Sequence, residues 1–286
     1  MIHLRSDSFF KGFDQSKLFI QTWQHPKALG TVFITHGQAE HSDCYQRLIH
    51  GLNHHLPLNF IAWDLRGHGR SDGLRGYAKD FDHYVLDYHC FLETAVQFDF
   101  IQKKPCFGLG HSMGGLIQTC SLADKKDHLF KAQVLSSPFF GLTIEVPAWK
   151  DLAATVLNQF LPKLTLSNEI EFSTLSRDLN VISEYEKDLY RHDKISAGVF
   201  YGVKREFEKM STRYEKIKLP TFMSISDNDP IVSTKEALHF FNEIKSKNKV
   251  LKIIEEGKHE LYNDTCREQV FEAVADFIQP FLKINN

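Results

Sequence analysis

Pro105-Cys106-Phe107-Gly108-Leu109-Gly110-His111-Ser112-Met113-Gly114-Gly115 is a short apolar run that turns through Gly-x-Ser-x-Gly. It leads directly into Leu116-Ile117-Gln118-Thr119-Cys120-Ser121-Leu122-Ala123, which reads as a helix. A strand that turns this sharply into a helix holds the serine in a strained backbone, so its neighbours must be small, as Gly110 and Gly114 are. The Ser112 hydroxyl then stands at a strand tip. The helix N-terminus behind it offers free N–H groups and partial positive charge to a developing oxyanion. The pattern alone is weak, because composition produces it by chance in about one chain of this length in ten. A second match, Gly69-Arg70-Ser71-Asp72-Gly73, is bulky and charged and starts no helix, so it reads as a polar loop.

Outward from the first match, strands and helices alternate. Before it come a hairpin around residues 8–13 and 17–23, a β-branched strand Gly30-Thr31-Val32-Phe33-Ile34-Thr35, a helix over 45–55, a strand over 59–64 and a helix over roughly 80–98. Gln133-Val134-Leu135-Ser136 closes the first half as a strand. Strands at 219–226 and 250–254 and helices at 233–244 and 267–282 complete the pattern. This is an α/β chain with a mostly parallel sheet covered on both faces. The alternation breaks at 141–216, a charged stretch that is helical in pattern. Trp149, Leu152, Ala153, Val156, Leu157, Phe160 and Leu161 form one apolar face ended by Pro162, expected as a lid helix or as a helix packed on the body. The charged run from Glu184 to Lys194 reads as a solvated face. The expected division is a core of 1–140 and 217–286 interrupted by a helical cap of 141–216.

The chain has 286 residues, 42% of them hydrophobic, which suffices for one large domain with an insertion. A net charge of −2 gives no basic footprint for nucleic acid. No apolar run is long enough to span a bilayer, and the first residues lack the features of a secretory signal. The five cysteines are odd in number and widely spaced, which suggests neither disulfides nor a zinc site. A cytoplasmic protein without metal or cofactor is expected, with transient contact of the cap with a membrane surface.

An attacking serine needs a base, and the base needs an orienting acid, in the chain order serine, acid, histidine. Two loops past strand ends qualify, Asp227-Asn228-Asp229-Pro230 and Glu255-Glu256-Gly257-Lys258-His259-Glu260. His259 is the base. Asp229 and Asp227 both remain open as the acid, and Asp229 is favoured because Pro230 stiffens its turn. The oxyanion donors are the N–H of Met113 and that of Gln38, in the loop after residue 35. His36 reads as a residue that braces that loop.

Three motifs add a resemblance. His36-Gly37-x-x-Glu40-His41-Ser42, Asp64-x-x-Gly67-His68-Gly69-x-Ser71-x-Gly73 and Gly110-His111-Ser112-Met113-Gly114-Gly115 resemble the monoacylglycerol lipase and lysophospholipase branch of the α/β-hydrolases, a serine aminopeptidase S33-like group. The likeness runs through Val156-Leu157-Asn158 and Leu175-Ser176-Arg177 to the last two loops. It implies an α/β-hydrolase fold, Ser112, Asp229 and His259 as triad, Gln38 and Met113 as oxyanion hole, a lid over an acyl tunnel and a small lipid ester as substrate. Glu40 and Tyr262 fall at head-group positions, Glu40 also as a loop brace. Such lipases often carry Arg where Cys44 stands and His where Tyr262 stands, so lysophospholipids or other small acyl esters are expected beside monoacylglycerols. An aminopeptidase would need a carboxylate from the insertion to hold the substrate amine, for which Glu169, Glu171, Glu184 and Glu186 are candidates. A thioesterase on the same body and a non-catalytic ligand-binding relative also stay open.

Overall fold

The computed structural model describes residues 4–124, 129–143, 161 and 163–282. Eight strands form one sheet: β1 (Leu4–Lys11), β2 (Lys17–Gln24), β3 (Gly30–Thr35), β4 (Leu58–Trp63), β5 (Cys106–His111), β6 (Phe130–Ser136), β9 (Thr221–Ser226) and β10 (Lys249–Ile254). Their order is β1-β2-β4-β3-β5-β6-β9-β10. The β1-β2 hairpin is antiparallel and meets β4 antiparallel, and every later pairing is parallel. This is the α/β-hydrolase fold.

Every residue of β3, β4 and β5 is buried, as continuous apolar strands covered on both faces must be. The side chains divide between two apolar layers. One holds Trp23, Phe60, Phe107, Phe222 and Phe271 and carries α1 (Gln46–His55) and the terminal helix Arg267–Ile278. The other holds Phe33, Trp63, Tyr88 and Phe91 and carries α2 (Asp82–Ala95) and α3 (Met113–Asp124). Trp63 stacks on Phe91 with ring centroids 5.4 Å apart, and its indole N–H donates to Thr35 Oγ1 at 3.2 Å. Burying such rings is the main stabilising term of the fold.

The Gly69–Gly73 stretch is a loop, as expected. Ser71 Oγ accepts the Phe19 N–H at 2.8 Å, and Asp64 accepts the N–H groups of Ser42 and Arg70, both at 2.8 Å. Ser71 therefore pins the hairpin and is committed to structure.

The segment between β6 and β9 differs from the helical expectation. Among its described residues lie two helices, α4 (Leu179–Lys187) and α5 (Ala197–Tyr214), and β7 (Thr165–Ser167) and β8 (Lys194–Ser196) also pair as a short antiparallel ribbon. The ribbon has only three residues on each side, too few for a period-two pattern to register. The amphipathic helix expected over 149–161 lies, apart from Leu161, outside the described residues.

The Glu184–Lys194 run is solvated only in part: Glu184, Glu186, Lys187, Leu189, Tyr190 and Asp193 are exposed, but others turn inward. Tyr185 is buried, and the Arg191 side chain is only 4% exposed. Its charges are used across the molecule: Arg47 pairs with Glu184 at 2.6 Å, His41 with Asp188 at 2.8 Å and Arg191 with Glu260 at 3.0 Å. Charge predicts exposure only when no partner waits in the interior.

Candidate active site

β5 ends at His111, and Ser112 makes the turn into α3 with φ of +50°, left-handed for a residue that carries a Cβ. Backbone bonds hold that conformation. Ser112 N–H donates to Ser136 O at 3.0 Å, and its carbonyl accepts from Gly115 and Phe139, both at 3.0 Å. The neighbouring glycines are obligatory on distance. A Cβ on Gly114 would lie 2.1 Å from Thr35 O, and one on Gly110 would lie 2.7 Å from Gly114 O.

The loop after β3 closes against this turn. A Cβ on Gly37 would be 3.0 Å from Ser112 Cβ. His36 braces the loop, its Nδ1 donating to Gly37 O at 2.7 Å and its Nε2 accepting from Leu65 N–H at 2.9 Å. Burial pushes its pKa down to about 3, so it is a neutral strut. Gln38 follows, and its side-chain amide donates to Lys194 O at 2.7 Å, which ties this loop to β8. Met113 is the first residue of α3 and is fully buried.

His259 and Asp229 come together from the two loops singled out in the sequence. His259 Nδ1 donates to Asp229 Oδ2 at 2.8 Å. The other carboxylate oxygen accepts the N–H groups of Ile231 at 2.8 Å and Val232 at 3.0 Å. Asp227 instead accepts Glu256 N–H at 2.9 Å and closes the turn after β10. Burial disfavours both charges of the Asp229–His259 pair, but their mutual attraction prevails. Asp229 is held below the usual carboxylate range and His259 above the usual imidazole range. The His259 carbonyl accepts Ser137 Oγ–H at 2.8 Å, just beyond β6. The His259 ring also lies 4.9 Å from that of His111, the residue before Ser112.

Beside this pair lies a polar cluster for which the sequence carried little signal. Arg191 donates to Glu260 Oε1 at 3.0 Å and Oε2 at 3.1 Å, approaches Glu40 Oε2 at 3.7 Å and lies 3.6 Å from the centre of the Tyr185 ring. Tyr185 also donates its hydroxyl proton to Glu260. Glu40 accepts Gly37 N–H at 2.6 Å and Tyr45 Oη–H at 2.8 Å. Burial and the charge of Glu260 push the Glu40 carboxyl up. Burial would also raise Glu260, but Arg191 holds it low. Glu40, Glu260 and Tyr262 line a cavity of about 10 Å³ with Tyr45, His111 and Asn263. Tyr262 is buried, its ring stacked against Phe271 with centroids 6.3 Å apart. In the sequence Glu40 and Tyr262 are marked only by the family resemblance, Glu260 only by adjoining His259, and Arg191 and Tyr185 not at all.

Arg191→Met is therefore expected to destabilise the protein by about 3–5 kcal/mol, since it strands two buried carboxylates. Urea unfolding of the single variant and of Arg191→Met with Glu260→Gln checks this. The double variant should regain part of the loss.

Comparison with known proteins gives concordant matches. The family model described as serine aminopeptidase S33 matches residues 26–266. Human monoglyceride lipase is 34% identical over 266 residues, which cover 88% of this chain and 82% of that one. Phospholipase YtpA of Bacillus subtilis is 28% identical over 262 residues, 91% of this chain and 99% of that one. The crystal structure of Paleococcus ferrophilus monoacylglycerol lipase superposes with a TM-score of 0.78 at 26% identity, covering 97% of this chain and 98% of that one.

Proposed function

The chain belongs to the serine aminopeptidase S33 family and is a carboxylic ester hydrolase of the monoglyceride lipase and phospholipase type, and from that premise we propose that Ser112, His259 and Asp229 hydrolyse a small lipid ester, a lysophospholipid or monoacylglycerol. The observation that carries this reading is the 2.8 Å Asp229–His259 pair in loops packed around the Ser112 turn. In the proposed reaction Ser112 Oγ attacks the acyl carbonyl, and His259 Nε2 takes its proton. Asp229 keeps the other imidazole proton on Nδ1 and stabilises the cation that forms. The backbone N–H groups of Gln38 and Met113 receive the oxyanion. His259 then protonates the leaving alcohol, and a water that it activates releases the acid.

We assign 141–216 as a cap over the acyl site, inserted between core segments 1–140 and 217–286. The tie from Gln38 to Lys194 supports this, since it joins that segment to the oxyanion loop. Glu40 and Tyr262 face a cavity with room for about one water molecule, so we assign them to the wall behind the head group rather than to direct contact with it. Among the described residues no helix is long and apolar enough to cross a membrane. Substrate would reach the site from solution or from a membrane surface touched by the cap.

A second reading, peptide hydrolysis, is suggested by the family description. Glu169, Glu171, Glu184 and Glu186, the candidates for holding a substrate amine, are all exposed, which favours the ester reading.

A panel of monoacylglycerol, lysophosphatidylcholine, acyl-thioester and aminoacyl-anilide substrates tests the assignment. The lipid esters are expected to have the higher kcat/KM, by about a hundredfold over the anilides, a preference of near 3 kcal/mol. Faster turnover of an anilide would replace the ester reading with the peptidase one. Failure of a fluorophosphonate to label Ser112 would replace it with a ligand-binding one.

A further inference from the structure

The loop that carries His259 lies between β10 and the helix Arg267–Ile278, and two sets of contacts hold it. One set comes from the core. Ser137 Oγ–H donates to His259 O at 2.8 Å, and Ser226 Oγ–H donates to Gly257 O at 2.7 Å. The other set comes from residues 174–178, in the segment assigned above as the cap. His259 N–H donates to Thr174 O at 3.4 Å, and Glu260 N–H donates to Leu175 O at 2.9 Å. Ser176 Oγ–H donates to Asn263 O at 3.0 Å. Leu175 is buried in a small apolar cluster, and packed against that cluster is Ile231, whose N–H the Asp229 carboxylate accepts.

Arg177 closes this clasp. Its backbone N–H donates to Asp264 Oδ1 at 2.8 Å, and its guanidinium meets Asp264 Oδ2 through Nε at 2.9 Å and through a terminal nitrogen at 2.8 Å. Two nitrogens of one planar group fix the angle of a carboxylate as well as its place, which a single ammonium does not. The same Oδ2 accepts the Lys258 N–H at 3.0 Å, the amide one residue before His259. A line of bonds therefore runs from the cap segment to the proposed base through one carboxylate that is fully buried. Burial would raise the Asp264 carboxyl, but Arg177 and the surrounding N–H groups hold it below the usual range.

We propose that Arg177 is a positioning residue for His259, acting through Asp264 and the Lys258 N–H, so that the cap segment sets where the base stands relative to Ser112. This rests on the triad reading given above. Arg177 takes no part in the steps proposed for Ser112, and its work is to keep one loop in place while they occur. Without its guanidinium Asp264 is free to turn, and the Lys258 N–H loses a fixed acceptor. The imidazole then shifts with the backbone that carries it, and a displacement of about 1 Å can cost on the order of a hundredfold in rate. Arg191 grips Glu260 in the same loop at 3.0 Å, but it is buried and its loss strands two carboxylates. Arg177 has a side chain 31% exposed, so it can be replaced with less damage and reached by a small cation from solvent.

Steady-state kinetics of the full chain with a soluble short-chain ester, alongside thermal unfolding, test the proposal. Arg177→Met should lower kcat by about ten- to a hundredfold while KM stays within about threefold. Arg177→Lys keeps the charge but not the second nitrogen and should lose about three- to tenfold in kcat, which keeps the test decisive should the first variant fail to fold. In Arg177→Ala, millimolar guanidinium chloride should restore part of the lost kcat, and sodium chloride at the same concentration should not. Arg47→Met supplies the contrast. It breaks the 2.6 Å Arg47–Glu184 pair, which ties the same segment to α1 rather than to the base loop, and should keep kcat within about twofold of the parent. Parent-like kcat in folded Arg177→Lys, with only the melting temperature lowered, would make the pair purely structural and overturn the proposal. A rise in KM at unchanged kcat, an equal loss in Arg47→Met, or guanidinium acting no better than sodium would overturn it too. Failure of the triad reading shows elsewhere, as a parent without ester turnover or as full turnover in Ser112→Ala, and would take the proposal with it.

Discussion

Ser112→Ala is expected to lower ester kcat/KM by about ten-thousandfold or more, a loss of at least ~5.5 kcal/mol of transition-state stabilisation. The substitution removes one oxygen and little else. The contacts that fix the turn are made by the Ser112 backbone, to Ser136, Gly115 and Phe139, and alanine retains all of them. Alanine also meets the positive φ with the same Cβ that serine carries. Stability should therefore stay within about 0.5 kcal/mol of the parent. That separation is what makes the experiment informative, since lost turnover in a protein with an unchanged melting curve reports chemistry. The measurement is initial rate with a soluble short-chain ester, alongside thermal unfolding. Retention of more than a few per cent of turnover in a preparation free of other esterases would remove Ser112 from the mechanism and leave the strained turn without a chemical role.

What was legible in the sequence is what local pattern controls. β3, β4 and β5 are wholly buried runs, and the hairpin, the helices and the Gly110–Gly114 turn follow from side-chain period and glycine placement. The loops that hold Asp229 and His259 were legible for a related reason: sites on a parallel sheet lie past the strand ends, and few residues there can serve. Choosing between Asp229 and Asp227 is a different matter. They are two residues apart in one turn, and only coordinates show the first reaching His259 and the second reaching Glu256 N–H.

Arg191 marks where local reading fails. Its neighbours Glu184, Glu186, Lys187, Asp188, Asp193 and Lys194 make the segment look solvated. Its partners Glu40 and Glu260 lie about 150 residues before it and about 70 after it, so their pairing is a fact of tertiary structure. His111 is similar. Its residue type carries no signal within the turn motif, and only the fold sets its ring against His259.

Asp229→Asn is expected to reduce kcat by about a thousand- to ten-thousandfold and to move the acid limb of the pH profile downward. The Asp229 carboxylate is 2% exposed and divides its work. One oxygen is held by the N–H groups of Ile231 and Val232, and the other accepts the proton of His259 Nδ1. Asparagine must keep its oxygen toward the two backbone donors, so its NH2 group faces His259. The imidazole then turns its acceptor nitrogen to that NH2 and carries its proton on Nε2, where it cannot take the proton of Ser112. The pH effect follows from charge. Burial disfavours the His259 cation, and Asp229 more than offsets this, so the imidazole loses its proton above the ordinary value of ~6.5. Only the neutral imidazole is a base, so parent activity should rise with pH through a midpoint above that value. With a neutral amide at 229, burial acts with less opposition and the midpoint falls. Plots of log kcat/KM against pH for both proteins check the direction. Asp227→Asn provides the contrast, since its carboxylate accepts from the Glu256 N–H and the Ser226 hydroxyl and not from His259, and it should cost less than about tenfold in a site where geometry alone is disturbed. Equal losses at the two positions would show that the loop's shape, and not the charge at 229, sustains the reaction.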